Sequence, residues 1–300
     1  MQGSKELRDQ LADACRLLYM EGLMDHGGLV GARIPETGNL LLNPREMRGT
    51  QGRHPGLLEG DDFVVVDPQG NKLEGGNNPP SETPIFTGVF KARPDVMAVF
   101  HLHLAYATLF SIVGKPLFAV GVTGAPFGET VPVDPDPTLI QRPEQGEALA
   151  RTLGSNQAMM LRGHGAVIVG NSIEQAFAAS VMLEDNALRL FRASQIGTPQ
   201  AISGQELADA KSQIWHPKVI AKMWTFYNMK GADEGALKRR CACGSCWQSC
   251  YSRSPRAAHK RKAGRPGRFA FSCTSHRAAR RTSPPASLAK NWAKFSASRW

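Results

Sequence analysis

The chain has 300 residues, 42% hydrophobic and 21% charged, as in a globular protein of one large or two ordinary domains. It contains no run of 18 apolar residues and no signal-peptide-like apolar segment near Met1, so we expect no transmembrane helix and a cytoplasmic location. The net charge of +10 does not indicate nucleic-acid binding, because all the excess positive charge lies beyond residue 235.

Charge and cysteine content divide the chain into two predicted parts. Residues 236–300 contain 16 Lys or Arg and no Asp or Glu, whereas residues 1–235 contain 20 basic and 26 acidic residues, a net charge of −6. Five of the six cysteines also lie in residues 236–300, and the lone Cys15 of the body suits a reducing compartment. We predict a folded domain over residues 1–235 and a disordered or non-native tail over residues 236–300.

Helices and short strands alternate irregularly along the predicted domain. Apolar spacing and turn residues predict these elements in chain order: a helix at Ser4–Met24, strands at Leu29–Ile34, Leu40–Leu42 and Phe63–Val66, a helix from about Pro84 that ends by Pro94, a strand at Val96–Leu104, a helix at Tyr106–Ile112, a helix at Pro143–Leu153, strands at Met159–Leu161 and Ala166–Val169, and helices at Ser172–Gln195 and Pro217–Met229. Ser172 and Gln175 form a capping-box pattern. Without a strict βαβ alternation, this order favours an α/β sandwich over a doubly wound parallel sheet.

An H-x-H pattern lies in the strand predicted at Val96–Leu104. Side chains two residues apart on a strand point to the same face, so His101 and His103 are expected to project together. Two imidazoles held in this way suit a metal ion. An isolated H-x-H is also compatible with two polar residues on a solvated strand face.

Two further motifs carry candidate functional residues. His164 stands between two glycines just after an apolar strand, on a tight turn that exposes its ring. Glu82 begins a predicted helix, where local amide donors and the helix dipole favour a carboxylate. Each has an ordinary structural explanation when taken alone. Together, three neutral histidines leave an open coordination position for a catalytic metal, and a nearby carboxylate can be a ligand or move protons.

The order and context of these motifs resemble the class II aldolase/adducin family. The chain has P-S-E, then H-x-H about twenty residues on, then R-G-H-G about sixty further on, and the resemblance spans roughly residues 6–230. It implies a three-layer α/β/α sandwich around a largely antiparallel central sheet. It also implies a homotetramer with sites near subunit interfaces, and one divalent metal per subunit, Zn²⁺ or Mn²⁺, on His101, His103 and His164. Glu82 would be the catalytic carboxylate and a candidate ligand.

Departures from the sugar-phosphate branch of that family point to a carboxylate substrate. The segment equivalent to its G-N-x-S-x-R phosphate cradle has Leu29 in place of the asparagine and Gly31 in place of the serine. Phe86 is a separate departure, since many relatives have a histidine there, and like Gly31 it could alter the pocket or weaken the enzyme. Arg45 suits a carboxylate through bidentate pairing, with Asn43 and Ser81 as further candidate substrate-binding residues.

The sequence around these motifs resembles the decarboxylase branch of the family, in segments such as 41–45, 109–117 and 142–150. The resemblance implies a decarboxylase of hydroxylated aromatic or heteroaromatic dicarboxylates or of carboxylated ring-fission products. In this hypothesis the metal stabilises a developing enolate, and Glu82 or a water protonates the carbon. The partner is then a small-molecule carboxylate, with neither nucleic acid nor membrane involved.

Three alternatives stay open. The chain could be an aldolase, epimerase or dehydratase of a sugar phosphate, or an adducin-like module that binds without catalysis. The latter needs no metal ligands, yet all three histidines and Glu82 are present. In the tail, the cysteines from Cys241 to Cys250 also allow a zinc-knuckle interpretation, although their spacing is not a paired C-x2-C set. A reading-frame shift near residues 235–240 is the simpler explanation of the tail.

Overall fold

The computed structural model describes residues 3–44 and 54–237. Within these ranges the α-helices, in chain order, are α1 (Lys5–Met20), α2 (Thr83–Ala92), α3 (Ala107–Val113), α4 (Pro143–Leu153), α5 (Ile173–Ile196), α6 (Gly204–Ile214) and α7 (Pro217–Asp233). The strands are β1 (Leu29–Arg33), β2 (Leu40–Leu42), β3 (Val64–Val66), β4 (Lys72–Glu74), β5 (Ala98–Leu102), β6 (Val133–Asp134), β7 (Ala158–Leu161) and β8 (Gly165–Gly170). None of the described helices is long and apolar enough to cross a bilayer.

All described strands join one sheet in the order β4-β3-β2-β1-β5-β8-β7-β6. Every pairing is antiparallel except that between β6 and β7. β5 therefore lies in the middle of the sheet, with β1 on one side and β8 on the other. His101 therefore has a hydrogen-bonded strand on each side. The pairings confirm the predicted, largely antiparallel sheet.

Helices cover both faces of the sheet, as the alternation of side chains requires. On one face, α1, α5 and α7 pack on strand residues such as Val30, Phe100 and Ile168 in a continuous apolar cluster. On the other face, α2 and α4 pack on residues such as Val99 and Val167. The three-layer α/β/α sandwich is thus confirmed, and the H-x-H side chains belong to the α2–α4 side.

Serine hydroxyls cap the starts of two helices, and the cap at Ser172 is the predicted one. The Ser4 hydroxyl accepts the Leu7 N–H at the start of α1, and the Ser172 hydroxyl accepts the Gln175 N–H at the start of α5. Only one of the two hydrogen bonds of the predicted capping box forms. The Gln175 side-chain oxygen accepts the Asn171 N–H and not the Ser172 N–H. The cap still fixes where the long helix α5 begins.

The packed chain continues slightly past the predicted boundary at residue 235. Leu237 is buried, and its N–H donates to the Gly231 carbonyl at the end of α7 at 3.0 Å. The rest of the predicted tail, residues 238–300, lies outside the described residues, as do the tail cysteines.

Candidate metal centre

The buried side chain of His101 lies in the middle of β5. Its neighbours Phe100 and Leu102 point into the α1–α5 cluster, so His101 faces the α2–α4 side of the sheet. Its Nδ1 lies 3.1 Å from the Ala166 carbonyl oxygen of β8. A carbonyl only accepts, so Nδ1 carries the hydrogen and Nε2 holds a free lone pair.

His103 lies just beyond the end of β5 and is oriented by a loop residue. Its Nδ1 lies 3.0 and 3.1 Å from the two carboxylate oxygens of Asp25, between α1 and β1. The carboxylate fixes the hydrogen on Nδ1 and again leaves Nε2 as the free nitrogen. The Asp25 carboxylate also accepts the Gly27 N–H at 2.9 Å. A Cβ at Gly27 would lie 2.7 Å from the His103 ring, so glycine permits this approach.

Sequence reasoning missed the role of Asp25 and Gly27. The segment D-H-G-G reads as a helix stop, and only the long-range contact to His103 reveals a second role. The local signal was the D-x-G spacing, which is typical of a side chain that bonds backbone two residues on.

His164 lies on the three-residue turn that joins β7 to β8. Gly163 has a φ of +67°, a conformation that favours glycine. A Cβ at Gly165 would lie 2.6 Å from the Leu102 carbonyl oxygen and 3.0 Å from the His103 ring. The two glycines of R-G-H-G therefore have different functions: one bends the turn, and the other lets the turn approach the H-x-H strand.

The structure brings the three histidine rings together. Their centroids lie 4.8–5.2 Å apart, and one nitrogen from each lies within 4.8 Å of the others. Nε2 of His101, Nε2 of His103 and Nδ1 of His164 are buried without a hydrogen-bond partner. Buried polar atoms normally have partners, so three clustered rings that each carry an unpartnered nitrogen fit a divalent metal ion.

The electrostatics keep His101 and His164 in the neutral form that binds a metal. Burial lowers the pKa of His101 to about 3, helped by His164 and His103 nearby. Burial also lowers the pKa of His164, partly opposed by Glu82. Burial opposes ionisation of Asp25, but its bonds to His103 and Gly27 outweigh this and lower its pKa. Neutral imidazoles beside an ionised outer carboxylate are the states that metal binding requires.

Glu82 is buried at the start of α2 and faces the same point. Its Oε1 accepts the Ile140 N–H at 3.0 Å, and its Oε2 lies 3.8 Å from His101 Nε2 and 4.0 Å from His164 Nε2. The position of Glu82 predicted that amides of its own helix would hold its carboxylate. The donor is instead the Ile140 amide, from the loop before α4. One carboxylate oxygen is anchored, and the other is directed at the histidines.

Close helix packing holds α2 in this place. A Cβ at Gly146 of α4 would lie 2.1 Å from the Pro84 carbonyl oxygen, and a Cβ at Gly88 would lie 2.3 Å from the Gly146 carbonyl oxygen. The backbones of α2 and α4 are therefore in direct contact, two residues after Glu82.

The three predicted substrate-binding residues differ in what the structure says of them. Asn43 is buried; its Oδ1 accepts the Val30 N–H at 2.8 Å and its Nδ2 donates to the Gly28 carbonyl at 3.4 Å. These bonds support a structural role beside the site. Ser81 is half-buried directly before Glu82. Arg45 lies outside the described residues, so all three substrate roles stay predictions.

The two departures at positions 31 and 86 are in contact with each other. A Cβ at Gly31 would lie 2.6 Å from the Phe86 ring and 2.5 Å from the Leu42 side chain. The ring of Phe86, fully buried on α2, thus occupies the space that a residue larger than glycine would need. The two positions therefore limit each other's size, and with Leu29 and Leu42 they form an apolar cluster beside His101, here called the apolar side wall.

The coupling predicts non-additive stability. Gly31→Ser alone should lower the free energy of unfolding by roughly 1–3 kcal/mol, because it overpacks the wall. Adding Phe86→His should recover about 1 kcal/mol relative to the sum of the single changes. Denaturant unfolding of the two single variants and the double variant measures this. Strictly additive effects would show that the two positions do not constrain each other.

Asp25→Asn is expected to weaken metal binding about tenfold, since outer hydrogen-bond partners orient ligands and raise their basicity. Competition with a chromophoric chelator measures the affinity. Asp95→Asn is the control, since Asp95 pairs with Arg93 at 2.7 Å on the surface. An affinity equal to wild type in Asp25→Asn would remove Asp25 from the metal centre.

Comparisons with known proteins identify relatives of this chain. The family described as "Class II Aldolase and Adducin N-terminal domain" matches residues 9–189. A 3,4-dihydroxyphthalate decarboxylase of Arthrobacter keyseri is 31% identical, over 59% of this chain and 74% of the relative. A 5-methylthioribulose-1-phosphate/5-deoxyribulose-1-phosphate aldolase of Rhodospirillum rubrum is 28% identical, over 69% of this chain and 90% of the relative.

A solved structure carries the same fold. An aldolase II superfamily protein from Pseudomonas syringae superposes with a TM-score of 0.68 at 22% identity, over 79% of this chain and 96% of the other. The match to the family covers more than half of the chain and includes Glu82 and all three clustered histidines. The chain therefore belongs to the class II aldolase and adducin family.

Proposed function

We propose that the protein is a divalent-metal-dependent decarboxylase of a hydroxylated aromatic or heteroaromatic dicarboxylate, or of a carboxylated ring-fission product. The observation that carries the chemistry is the arrangement of Glu82: one carboxylate oxygen is anchored by Ile140 N–H, and the other lies 3.8 Å from His101 Nε2. The coarser assignment, a carbon–carbon lyase, follows from the family and its enzymatic relatives.

His101, His103 and His164 are the residues that would hold the metal, either Zn²⁺ or Mn²⁺. A divalent ion supplies Lewis acidity, which polarises a substrate oxygen and stabilises negative charge. Three histidine ligands leave coordination positions open for substrate, as catalytic sites require.

Glu82 has the geometry of a proton-transfer group. When the carbon–carbon bond breaks, carbon dioxide leaves and the bonding electron pair stays on the substrate carbon, which must then gain a proton. Glu82 Oε2, after taking up a proton from the solvent, or a water that it orients, would deliver that proton. The Ile140 N–H bond limits rotation of the carboxylate, so the transferring oxygen stays directed at the histidines.

The apolar side wall supports an aromatic substrate. Leu29 pairs with His101 across the β1–β5 ladder, so the two side chains are neighbours on the same face. Leu42 and Phe86 lie in the same apolar cluster as Leu29 and are fully buried, so they pack behind this surface and do not line it. Such a surface suits the face of a ring and offers no side-chain donor to a phosphate. Arg45 is the proposed partner of the second carboxylate.

A sugar-phosphate aldolase is the second candidate. The Rhodospirillum rubrum aldolase matches this chain over 90% of its own length, a larger share than the 74% of the Arthrobacter keyseri decarboxylase. The metal centre suits both reactions, since both leave negative charge on a carbon next to a polarised oxygen. The apolar side wall is what favours decarboxylation.

A substrate panel separates the two candidates. Purified protein, saturated with Zn²⁺ or Mn²⁺ in separate samples, is incubated with dihydroxyphthalates and with ketose 1-phosphates. We expect carbon dioxide release from an aromatic dicarboxylate and no aldehyde from the phosphates. Aldehyde release from a ketose phosphate without decarboxylation of any dicarboxylate would make the aldolase assignment correct. Inactivity in both arms, with no bound metal, would favour a binding module.

A further inference from the structure

The short helix α3 lies between the two loops that carry His103 and His164. Ala107, the first residue of α3, follows His103 by only four positions. Further along the same helix, Ser111 contacts the turn that carries His164. A rigid element that touches both loops can fix the distance between them.

Glu184 of α5 anchors the beginning of this helix. Its Oε1 accepts the Tyr106 N–H at 2.8 Å, and its Oε2 accepts the Ala107 N–H at 3.0 Å. These amides have no partner within α3, and a carboxylate is the favoured acceptor at a helix start. The path of the chain directly after His103 is therefore tied to the long helix α5.

Ser111 joins α3 to the other loop. Its buried hydroxyl accepts the Gly163 N–H at 3.0 Å and donates to the Thr108 carbonyl at 2.8 Å. Gly163 has the left-handed conformation that shapes the turn, and His164 is the next residue. The hydroxyl thus satisfies an amide of the turn from a neighbouring helix.

We propose that Ser111 and Glu184 are positioning residues that set the spacing between His103 and His164, and so the affinity and geometry of the metal centre. Removing either contact should let one ligand loop shift while the chain remains folded. The proposal rests on the metal site of the proposed function but not on which reaction the enzyme catalyses.

The test is Co²⁺ titration of the full chain, read by dissociation constant and by the visible absorption spectrum, which reports the ligand geometry. Ser111→Ala and Glu184→Gln are expected to weaken binding about tenfold and to change the spectrum. Ser111→Thr, which keeps the hydroxyl, should restore both. Thermal unfolding of the metal-free proteins monitors stability separately.

Two matched controls lie on α5. Ser180 is a buried helical serine whose hydroxyl donates to Ala176 in its own helix, and Glu174 bonds to Gln10. Ser180→Ala and Glu174→Gln can change the melting temperature but should leave the Co²⁺ affinity and spectrum unchanged.

The outcomes separate the positioning role of Ser111 and Glu184 from the existence of the metal centre itself. Wild-type affinity and spectrum in folded Ser111→Ala and Glu184→Gln would overturn the positioning role while leaving the metal centre intact. If Ser111→Ala does not fold, the Co²⁺ affinity and spectrum of Glu184→Gln alone decide whether the positioning role is correct. A wild-type protein that binds no Co²⁺ would overturn both the metal centre and the positioning role of Ser111 and Glu184.

Discussion

Replacing Glu82 with glutamine is expected to lower kcat by about 10²–10⁴-fold while metal content stays at the wild-type level. The amide can still accept the Ile140 N–H, so the fold around it is preserved, but it cannot transfer a proton. Decarboxylation assays of the metal-loaded variant, with elemental analysis of the same sample, measure both quantities.

The control for this change is Glu147→Gln, an exposed carboxylate of α4 that pairs with Lys91. It should leave kcat unchanged. Full activity in Glu82→Gln would exclude proton transfer by this residue. Loss of the metal together with activity would instead make Glu82 a ligand, which its 3.8 Å distance to His101 Nε2 also allows after a small movement.

Replacing His164 with alanine is expected to abolish stoichiometric metal binding, with an affinity loss larger than the 10–100-fold typical of outer partners. His164 is the best of the three for this test, because its Nδ1 has no hydrogen-bond partner and the fold should lose little. Metal content after dialysis, measured alongside activity, gives the result.

His216→Ala serves as the matched histidine control, since this ring accepts the Lys218 N–H at the start of α7. It should retain one metal per chain. If His164→Ala also retained one metal per chain with wild-type affinity, the ion would be bound elsewhere, and the three-histidine centre would be wrong.

Local patterns were sufficient to predict most of the fold and the cluster of histidines. The apolar alternation around Phe100 and Leu102 placed His101 and His103 on one face, and the two glycines around His164 indicated a tight turn. Strand β2 and helix α4 have the predicted bounds, and the starts of α1 and α5 follow from Ser4 and Ser172. These features depend on neighbours in sequence, which is why a single chain reveals them.

Elements with little apolar content escaped prediction. Strand β4 is three residues long with a largely exposed pattern, β6 has two residues, and helix α6 buries only Leu207 among its own residues. They form because the existing sheet or a neighbouring loop supplies partners. Strand β5 is also shorter than predicted, since the chain turns after Leu102 toward the start of α3.

Contacts between distant segments could not be predicted from spacing. Asp25 meets His103 across 78 residues, and Glu82 meets Ile140 across 58. The contact between Gly31 and Phe86 likewise becomes visible only when β1 and α2 are brought together. Such contacts define the environment of the site, whereas the sequence motifs name its principal residues.

Anomalous X-ray diffraction from crystals of the full chain, collected at the absorption edge of the bound metal, tests the metal centre most directly. One peak per chain is expected within about 2.0–2.1 Å of a nitrogen from each of His101, His103 and His164, with the Glu82 carboxylate beside it. A peak on the cysteines of residues 241–250, or none at the three histidines in metal-saturated crystals, would contradict the assignment.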